Sequence, residues 1–77
     1  MRNLDPVKIG SRIRSARQSK GMTVESLANA IGISKGSLSA IETGKRPVSL
    51  LNLTRISDVL DISLDYLVGL SDNPERR

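Results

Sequence analysis

The chain of 77 residues has a net charge of +4, no cysteine, no histidine and a single aromatic residue, Tyr66. Its length fits one domain with a modest core, and its composition excludes a disulfide framework, a thiolate metal site and a histidine general base. No apolar run reaches the roughly 20 residues that span a bilayer, and no signal peptide is recognisable. We therefore expect a cytoplasmic protein with no membrane partner, no metal and no cofactor.

The charge is unevenly distributed along the chain. Residues 1–46 contain nine Lys and Arg against three acidic residues, whereas residues 47–77 contain three against five. A basic half beside a mildly acidic half indicates either one face that meets a polyanion such as nucleic acid or a soluble surface with uneven charge.

The first predicted helix follows a short leader, Met1–Leu4, which we expect to be loose. Asp5 is a good N-cap and Pro6 suits the first helical position. The helix runs to about Lys20, with a buried stripe of Ile9, Ile13 and Ala16.

The central stretch predicts two short helices joined by a tight turn. Thr23 caps a helix over Val24–Ile31, and Gly32 ends it because glycine tolerates a left-handed backbone. Ser34 caps the next helix, which ends at Gly44. This arrangement is typical of a helix-turn-helix, whose second helix is presented outward.

That second helix is small and polar on its outer face, with Lys35, Gly36, Ser37, Ser39 and Ala40. Gly36 costs about 1 kcal/mol relative to alanine inside a helix. The glycine is either a tolerated defect or a point where another molecule approaches the backbone closely.

The remaining chain predicts a basic loop, two more helices and a tail. Lys45 and Arg46 precede Pro47 in the loop, Ser49 caps a helix that ends at Asp61, and Ser63 caps a last helix that ends at Gly69. The sequence therefore predicts an all-α domain over residues 1–70, a compact bundle of about five short helices, and a flexible C-terminal tail over residues 71–77.

Three segments between Ile9 and Leu67 carry a family resemblance: IGSRIRSAR, GMTVESLANAIGISKGSLSAIETGKR and SLLNLTRISDVLDISLDYL. They resemble the phage-repressor-like helix-turn-helix family, the XRE type that includes the lambda repressor and Cro. The resemblance implies a lambda-repressor-like DNA-binding domain that binds operator DNA as a two-fold dimer, with its third helix in the major groove.

The resemblance also assigns roles to individual positions. The base-reading face is expected at Lys35, Gly36, Ser39 and Ala40, with Ser37 close to the backbone or bases. Contacts with phosphates or the minor groove are expected at Thr23, Val24, Ser34, Thr43, Lys45 and Arg46. Val24 departs from the glutamine often found at its position, and Gly36 and Ala40 carry no polar group. These departures favour readout of DNA shape, or lower specificity, over tight direct readout.

Two further expectations follow from the resemblance. Arg17 and Glu42 match positions that form a partly buried salt bridge in some phage repressors. Dimer contacts are expected from the loop before the last helix and from that helix, at Ile62, Leu64, Asp65 and Tyr66; alternatively, Tyr66 is a partly buried edge of the core.

The sequence thus predicts a sequence-specific DNA-binding transcriptional regulator, a small repressor that binds a palindromic operator as a homodimer. The alternative is a helix-turn-helix protein-interaction module that binds another regulator or a toxin. An enzyme is not expected, because no side-chain constellation resembles an activated nucleophile or a paired acid and base.

Overall fold

The structure, a computed structural model, describes residues 5–76; the predicted leader Met1–Leu4 and residue Arg77 lie outside the described residues. Within that range the chain forms five helices and no strand. They are α1 (Pro6–Ser19), α2 (Val24–Ile31), α3 (Lys35–Glu42), α4 (Leu50–Leu60) and α5 (Leu64–Val68). The predicted all-α class is confirmed.

Each helix begins at a side chain that caps its first amides. The five N-caps are Asp5, Thr23, Ser34, Ser49 and Ser63, and each accepts a hydrogen bond from a backbone N–H of the following turn. Caps of this kind satisfy donors that have no partner inside the helix. Short polar residues therefore fix where each helix starts.

The helices enclose one apolar core made almost entirely of Leu, Ile and Ala. Within it, α1 packs against α3, α4 and α5, and α2 packs against α3 and α4. The buried apolar residues are Ile9, Ile13, Ala16, Leu27, Ala28, Ile31, Leu38, Ile41, Leu53, Ile56, Leu60, Ile62 and Leu67. The predicted stripes of the helices supply this core.

A glycine allows α1 and α3 to approach closely. A Cβ atom at Gly10 would overlap the main-chain oxygen of Ile41 and lie 2.6 Å from that of Glu42. The end of α3 is therefore seated directly on the backbone of α1.

The residues after α5 contact the α4–α5 corner. The backbone N–H of Ser63 donates to the oxygen of Pro74 at 2.9 Å, and Arg76 forms ion pairs with Asp58 and Asp61. The flexibility of residues 71–77 and the domain boundary at residue 70 remain predictions. No helix within residues 5–76 has the length and apolar character needed to cross a bilayer.

Candidate nucleic-acid interface

The turn between α2 and α3 sets the direction in which α3 leaves the core. Gly32 has a φ of 78°, in the left-handed region, and ends α2. The N–H of Ile33 then donates to the oxygen of Ala28 at 3.0 Å, while its side chain packs against the core. This hydrogen bond and apolar contact fix the angle of the motif, as in other glycine-ended helices.

Helix α3 has one buried and one outward face. Leu38, Ile41 and Glu42 are buried against the rest of the domain. Lys35, Gly36 and Ser39 are exposed, and Ser37 and Ala40 are half-buried. The structure therefore brings the sequence-predicted base-reading residues together on the first two turns of one helix.

A buried ion pair joins the end of α3 to α1. Arg17 of α1 donates to Glu42 through Nε at 2.7 Å and through Nη2 at 3.0 Å, and its Nη1 donates to the oxygen of Met22 at 2.8 Å. Both side chains are at most 9% exposed. The hydrogen bonds that Arg17 donates to the Glu42 carboxylate raise the pKa of Arg17 above its ordinary value, although burial acts in the opposite direction.

Most polar side chains along α3 are already engaged within the protein. The Thr43 hydroxyl donates to the main-chain oxygens of Ser39 and Ala40, and the Ser34 hydroxyl donates to Ser37 Oγ. Within residues 5–76, the side chains of Lys35 and Ser39 form no hydrogen bond or ion pair. These two polar groups are free to contact another molecule.

The loop after α3 carries two exposed cations and is held to the helix end. Gly44 has a φ of 80°, and the N–H groups of Lys45 and Arg46 both donate to the oxygen of Ala40, at 2.9 and 3.3 Å. Backbone hydrogen bonds of this kind are the usual ending of a helix at glycine. They keep both positive side chains beside α3.

The start of α2 contributes less to the outward surface. Thr23 is exposed, and its hydroxyl oxygen accepts the Ser26 N–H at 3.0 Å. Val24 is half-buried and packs against the core, so much of its side chain is covered by the protein itself.

The residues predicted to form a dimer contact differ in exposure. Ile62 belongs to the core and is 6% exposed, whereas Leu64 and Asp65 are exposed. Tyr66 is half-buried, and the guanidinium carbon of Arg12 lies 5.5 Å from the centre of its ring. Leu64, Asp65 and the outer edge of Tyr66 supply the accessible part of this region.

Residues 13–67 match the family HTH_3, described as helix-turn-helix. The chain belongs to the helix-turn-helix family. The resemblance drawn from the sequence motifs is thereby confirmed.

Curated relatives of this helix-turn-helix protein include YobD of Bacillus subtilis strain 168, an uncharacterised HTH-type transcriptional regulator. It is 36% identical over 64 residues, which cover 83% of this chain and 57% of YobD. The chain thus spans little more than half the length of the first curated relatives it matches, at 57% and 53%.

Two solved structures share both sequence and fold with this helix-turn-helix protein. The restriction-modification controller protein C.AhdI from Aeromonas hydrophila is 37% identical with a TM-score of 0.77, and the match covers 84% of this chain and 98% of that one. SinR in complex with DNA is 38% identical with a TM-score of 0.72, over 77% of this chain and 95% of the solved SinR chain.

Within residues 5–76, no three carboxylate, imidazole or thiol side chains lie together as a possible metal site. The distinctive surface of this helix-turn-helix protein is the outward face of α3 with the two cations of the following loop.

Proposed function

We propose that the chain is a sequence-specific DNA-binding transcriptional regulator, a small repressor that binds a palindromic operator as a homodimer. In this proposal α3 lies in the major groove. The observation that carries it is the outward face of α3, where Lys35 and Ser39 are unpaired within the described residues and Lys45 and Arg46 lie beside them. The relative SinR, solved with DNA, supports duplex DNA as the ligand.

The roles divide by chemistry. Lys35 is suited to guanine, because an ammonium group donates hydrogen bonds to the O6 and N7 acceptors in the major groove. Ser39 can either donate or accept there, while Gly36, Ala40 and Ser37 allow a close fit. Phosphate contacts are proposed at Thr23, Val24, Ser34, Thr43, Lys45 and Arg46, as the family resemblance implies.

Dimerisation is proposed through Leu64, Asp65 and Tyr66, with Ile62 supporting them from the core. Two copies related by a two-fold axis would then present their α3 helices to half-sites about one helical turn apart. The protein-interaction alternative is not favoured, because the relatives are transcriptional regulators and one of them is solved with DNA.

We further infer that the protein has no enzymatic activity and acts in the cytoplasm. Membership of a family of transcriptional regulators supports the first inference. The relatives come from bacteria, whose chromosome lies in the cytoplasm, and this supports the second.

The decisive experiment is selection of bound sequences from a random duplex library at physiological salt, followed by titration of the selected duplex at several salt concentrations. We expect a two-fold symmetric consensus and an affinity that falls steeply with salt, with a slope of about 0.9 for each phosphate contacted. Enrichment of no sequence, together with salt-independent binding, would overturn the proposal.

Lys35→Ala tests the reading face, and Lys20→Ala is its matched control. Both variants remove one exposed lysine, but Lys20 lines a cleft with Tyr66 and Pro74, at the end of α1. We expect Lys35→Ala to lose roughly 1–3 kcal/mol of discrimination between the selected duplex and a scrambled one. Lys20→Ala should leave that ratio unchanged.

A further inference from the structure

One cation beside α3 is tied to the helix by its side chain. Arg46 Nη1 donates a hydrogen bond of 3.1 Å to the hydroxyl oxygen of Ser37, nine residues earlier. The same oxygen accepts the Ser34 hydroxyl at 2.9 Å, and Ser34 Oγ in turn accepts the Ser37 N–H at 3.1 Å. Three side chains therefore form a continuous hydrogen-bonded relay from the N-cap of α3 to Arg46.

Arg46 is held to α3 at two points. Its backbone N–H donates to the oxygen of Ala40, in the last turns of the helix, while its guanidinium contacts Ser37 in the first turn. Since the side chain is exposed and both points belong to α3, the guanidinium lies along the outside of that helix. The hydrogen bond to Ser37 directs the guanidinium toward the first turn of α3.

The other hydrogen-bonded arginines have partners that connect elements of the fold. Arg12 donates to the oxygen of Tyr66, Arg17 pairs with Glu42, Arg55 donates to the oxygen of Ile31, and Arg76 pairs with Asp58 and Asp61. Within residues 5–76 the Arg46 side chain forms one hydrogen bond, to a neutral hydroxyl, and no ion pair. Its charge is thus uncompensated there, and four of its five N–H donors remain available.

A guanidinium is a planar fork, and it can hold one acceptor on one edge while another edge binds a phosphate. We propose that Arg46 is a positioning residue that couples a DNA phosphate to the register of α3 through Ser37. This inference rests on the proposed function. One edge of the guanidinium holds the Ser37 hydroxyl, and another edge donates to a phosphate oxygen at the border of the major groove.

This coupling differs from attraction by charge alone. A free cation lowers the energy of any bound duplex equally and so carries no sequence information. When Arg46 bridges a phosphate and the Ser37 hydroxyl, α3 is held at one depth and one rotation in the groove. Lys35 and Ser39 then contact the base edges in a single register. Loss of the hydrogen bond between Arg46 and Ser37 should reduce the discrimination between selected and scrambled duplexes. It should leave the electrostatic contribution to DNA affinity unchanged.

Ser37→Ala and Arg46→Lys test the coupling, because both variants preserve the net charge and both break the relay. We expect each to bind the selected duplex roughly five- to tenfold more weakly. Binding to a scrambled duplex and the salt slope should remain as in the natural chain. Arg46→Ala should lose the same discrimination and also reduce the salt slope by about 1.

Conservative and matched variants complete the experiment. Ser37→Thr retains a hydroxyl and should restore most of the discrimination. The double variant Ser37→Ala with Arg46→Lys should be no worse than either single change, because both remove the same interaction. Arg14→Lys makes the same change of side chain at an exposed arginine of α1, outside the proposed DNA contacts, and should change nothing. Thermal melting of each variant separates loss of contact from loss of fold.

Two outcomes are distinguishable. If the natural chain binds the selected duplex but Ser37→Ala and Arg46→Lys discriminate as well as it does, the coupling is wrong and the proposed function stands. If Ser37→Ala does not fold, Arg46→Lys alone decides between these results. If the natural chain binds no duplex in a salt-dependent manner, the proposed function itself is wrong.

Discussion

Arg17 and Glu42 form a two-point ion pair between α1 and α3, with hydrogen bonds of 2.7 and 3.0 Å in a site that water scarcely reaches. The two residues are 25 positions apart in the chain. Glu42 is the last residue of α3, so the pair fixes the end of the proposed recognition helix. An ion pair removed from water contributes little net stability, but loss of one partner leaves an uncompensated charge.

Glu42→Ala should therefore be strongly destabilising. We expect the free energy of unfolding to fall by about 3–5 kcal/mol, because Arg17 would remain buried without its carboxylate. Thermal or urea unfolding followed by circular dichroism measures the loss. Glu25→Ala, which removes an exposed carboxylate in the first turn of α2, is the control and should cost about 1 kcal/mol or less. Equal effects of the two substitutions would contradict a structural role for the pair.

Replacing both Arg17 and Glu42 by apolar residues also tests whether an unpaired buried charge causes the loss of stability. A variant with Arg17→Met and Glu42→Leu should be close to the natural chain in stability, because an apolar pair avoids the cost of burying charge. If the double variant is more stable than Glu42→Ala, the loss of stability in Glu42→Ala comes from the unpaired Arg17.

Two glycines should respond in opposite directions to alanine. At Gly10 a Cβ atom would collide with main-chain oxygens of α3, including that of Glu42 at 2.6 Å, whereas nothing lies within 4 Å of a Cβ atom at Gly36. Gly10→Ala should therefore destabilise the domain by forcing α1 and α3 apart, at a cost of roughly 1–3 kcal/mol. Gly36→Ala should stabilise it by about 1 kcal/mol, because alanine is the better helix former.

The Gly10→Ala and Gly36→Ala variants also separate effects on folding from effects on DNA binding. Because the domain has no packing requirement for a glycine at position 36, we expect Gly36→Ala to melt at a higher temperature and yet bind the selected duplex more weakly. Unfolding curves and duplex titrations of both variants provide the measurement. If the more stable Gly36→Ala bound duplex DNA as well as the natural chain, Gly36 would be a tolerated defect.

The helices could be predicted from the sequence because their signals are local. Ser34 lies three residues before the amide it caps, and Leu38 and Ile41 repeat at helical spacing within one short segment. Such signals depend on neighbours in the chain and not on the tertiary fold. The same reasoning placed Asp61 at the end of α4, where the structure has a left-handed residue with a φ of 53°.

Contacts between distant residues were not predictable in this way. Arg12 donates to the oxygen of Tyr66 at 3.0 Å across 54 residues, and nothing in the sequence around either residue indicates the other. The hydrogen bond from Arg46 to Ser37 joins residues that are only nine positions apart, but it depends on the path of the loop after α3. The candidate site was therefore predictable as a helix face, whereas the direction of its flanking arginine required the structure.

The proposed dimer contact is tested by Leu64→Asp. Leu64 is the first residue of α5, and an acidic residue in that turn is favourable to the helix, so the monomer should keep its fold. A second carboxylate beside Asp65, removed from water in the contact, should abolish dimerisation and weaken binding to a palindromic duplex. Sedimentation equilibrium measures the assembly state.

Leu50→Asp is the matched control for this prediction. Leu50 is also an exposed leucine directly after a serine N-cap, at the start of α4, and it belongs to no proposed dimer contact. We expect Leu50→Asp to assemble as the natural chain does. A Leu64→Asp variant that still forms dimers would remove α5 from the proposed interface.

Removal of residues 71–77 tests the proposed domain boundary at residue 70. The segment is joined to the α4–α5 corner by three hydrogen bonds and by ion pairs of Arg76 with exposed aspartates. In the hydrogen bonds, the Ser63 N–H donates to Pro74, the Ser63 hydroxyl donates to Asn73, and the Ser71 N–H donates to Asp65. Exposed ion pairs contribute about 0–1 kcal/mol each, and each hydrogen bond contributes about 1 kcal/mol or less. The shortened chain should therefore unfold cooperatively with a lower Tm, by about 4–8 °C for each kcal/mol lost in a domain of this size.

The control is Arg76→Ala in the full chain, which removes both ion pairs and keeps the three hydrogen bonds. It should lower the Tm by less than the truncation does. Backbone 15N relaxation of the natural chain provides an independent measure, because a flexible segment gives low order parameters. A shortened chain that fails to fold would show that residues 71–77 belong to the domain, since the loss would exceed that of three exposed hydrogen bonds and two exposed ion pairs.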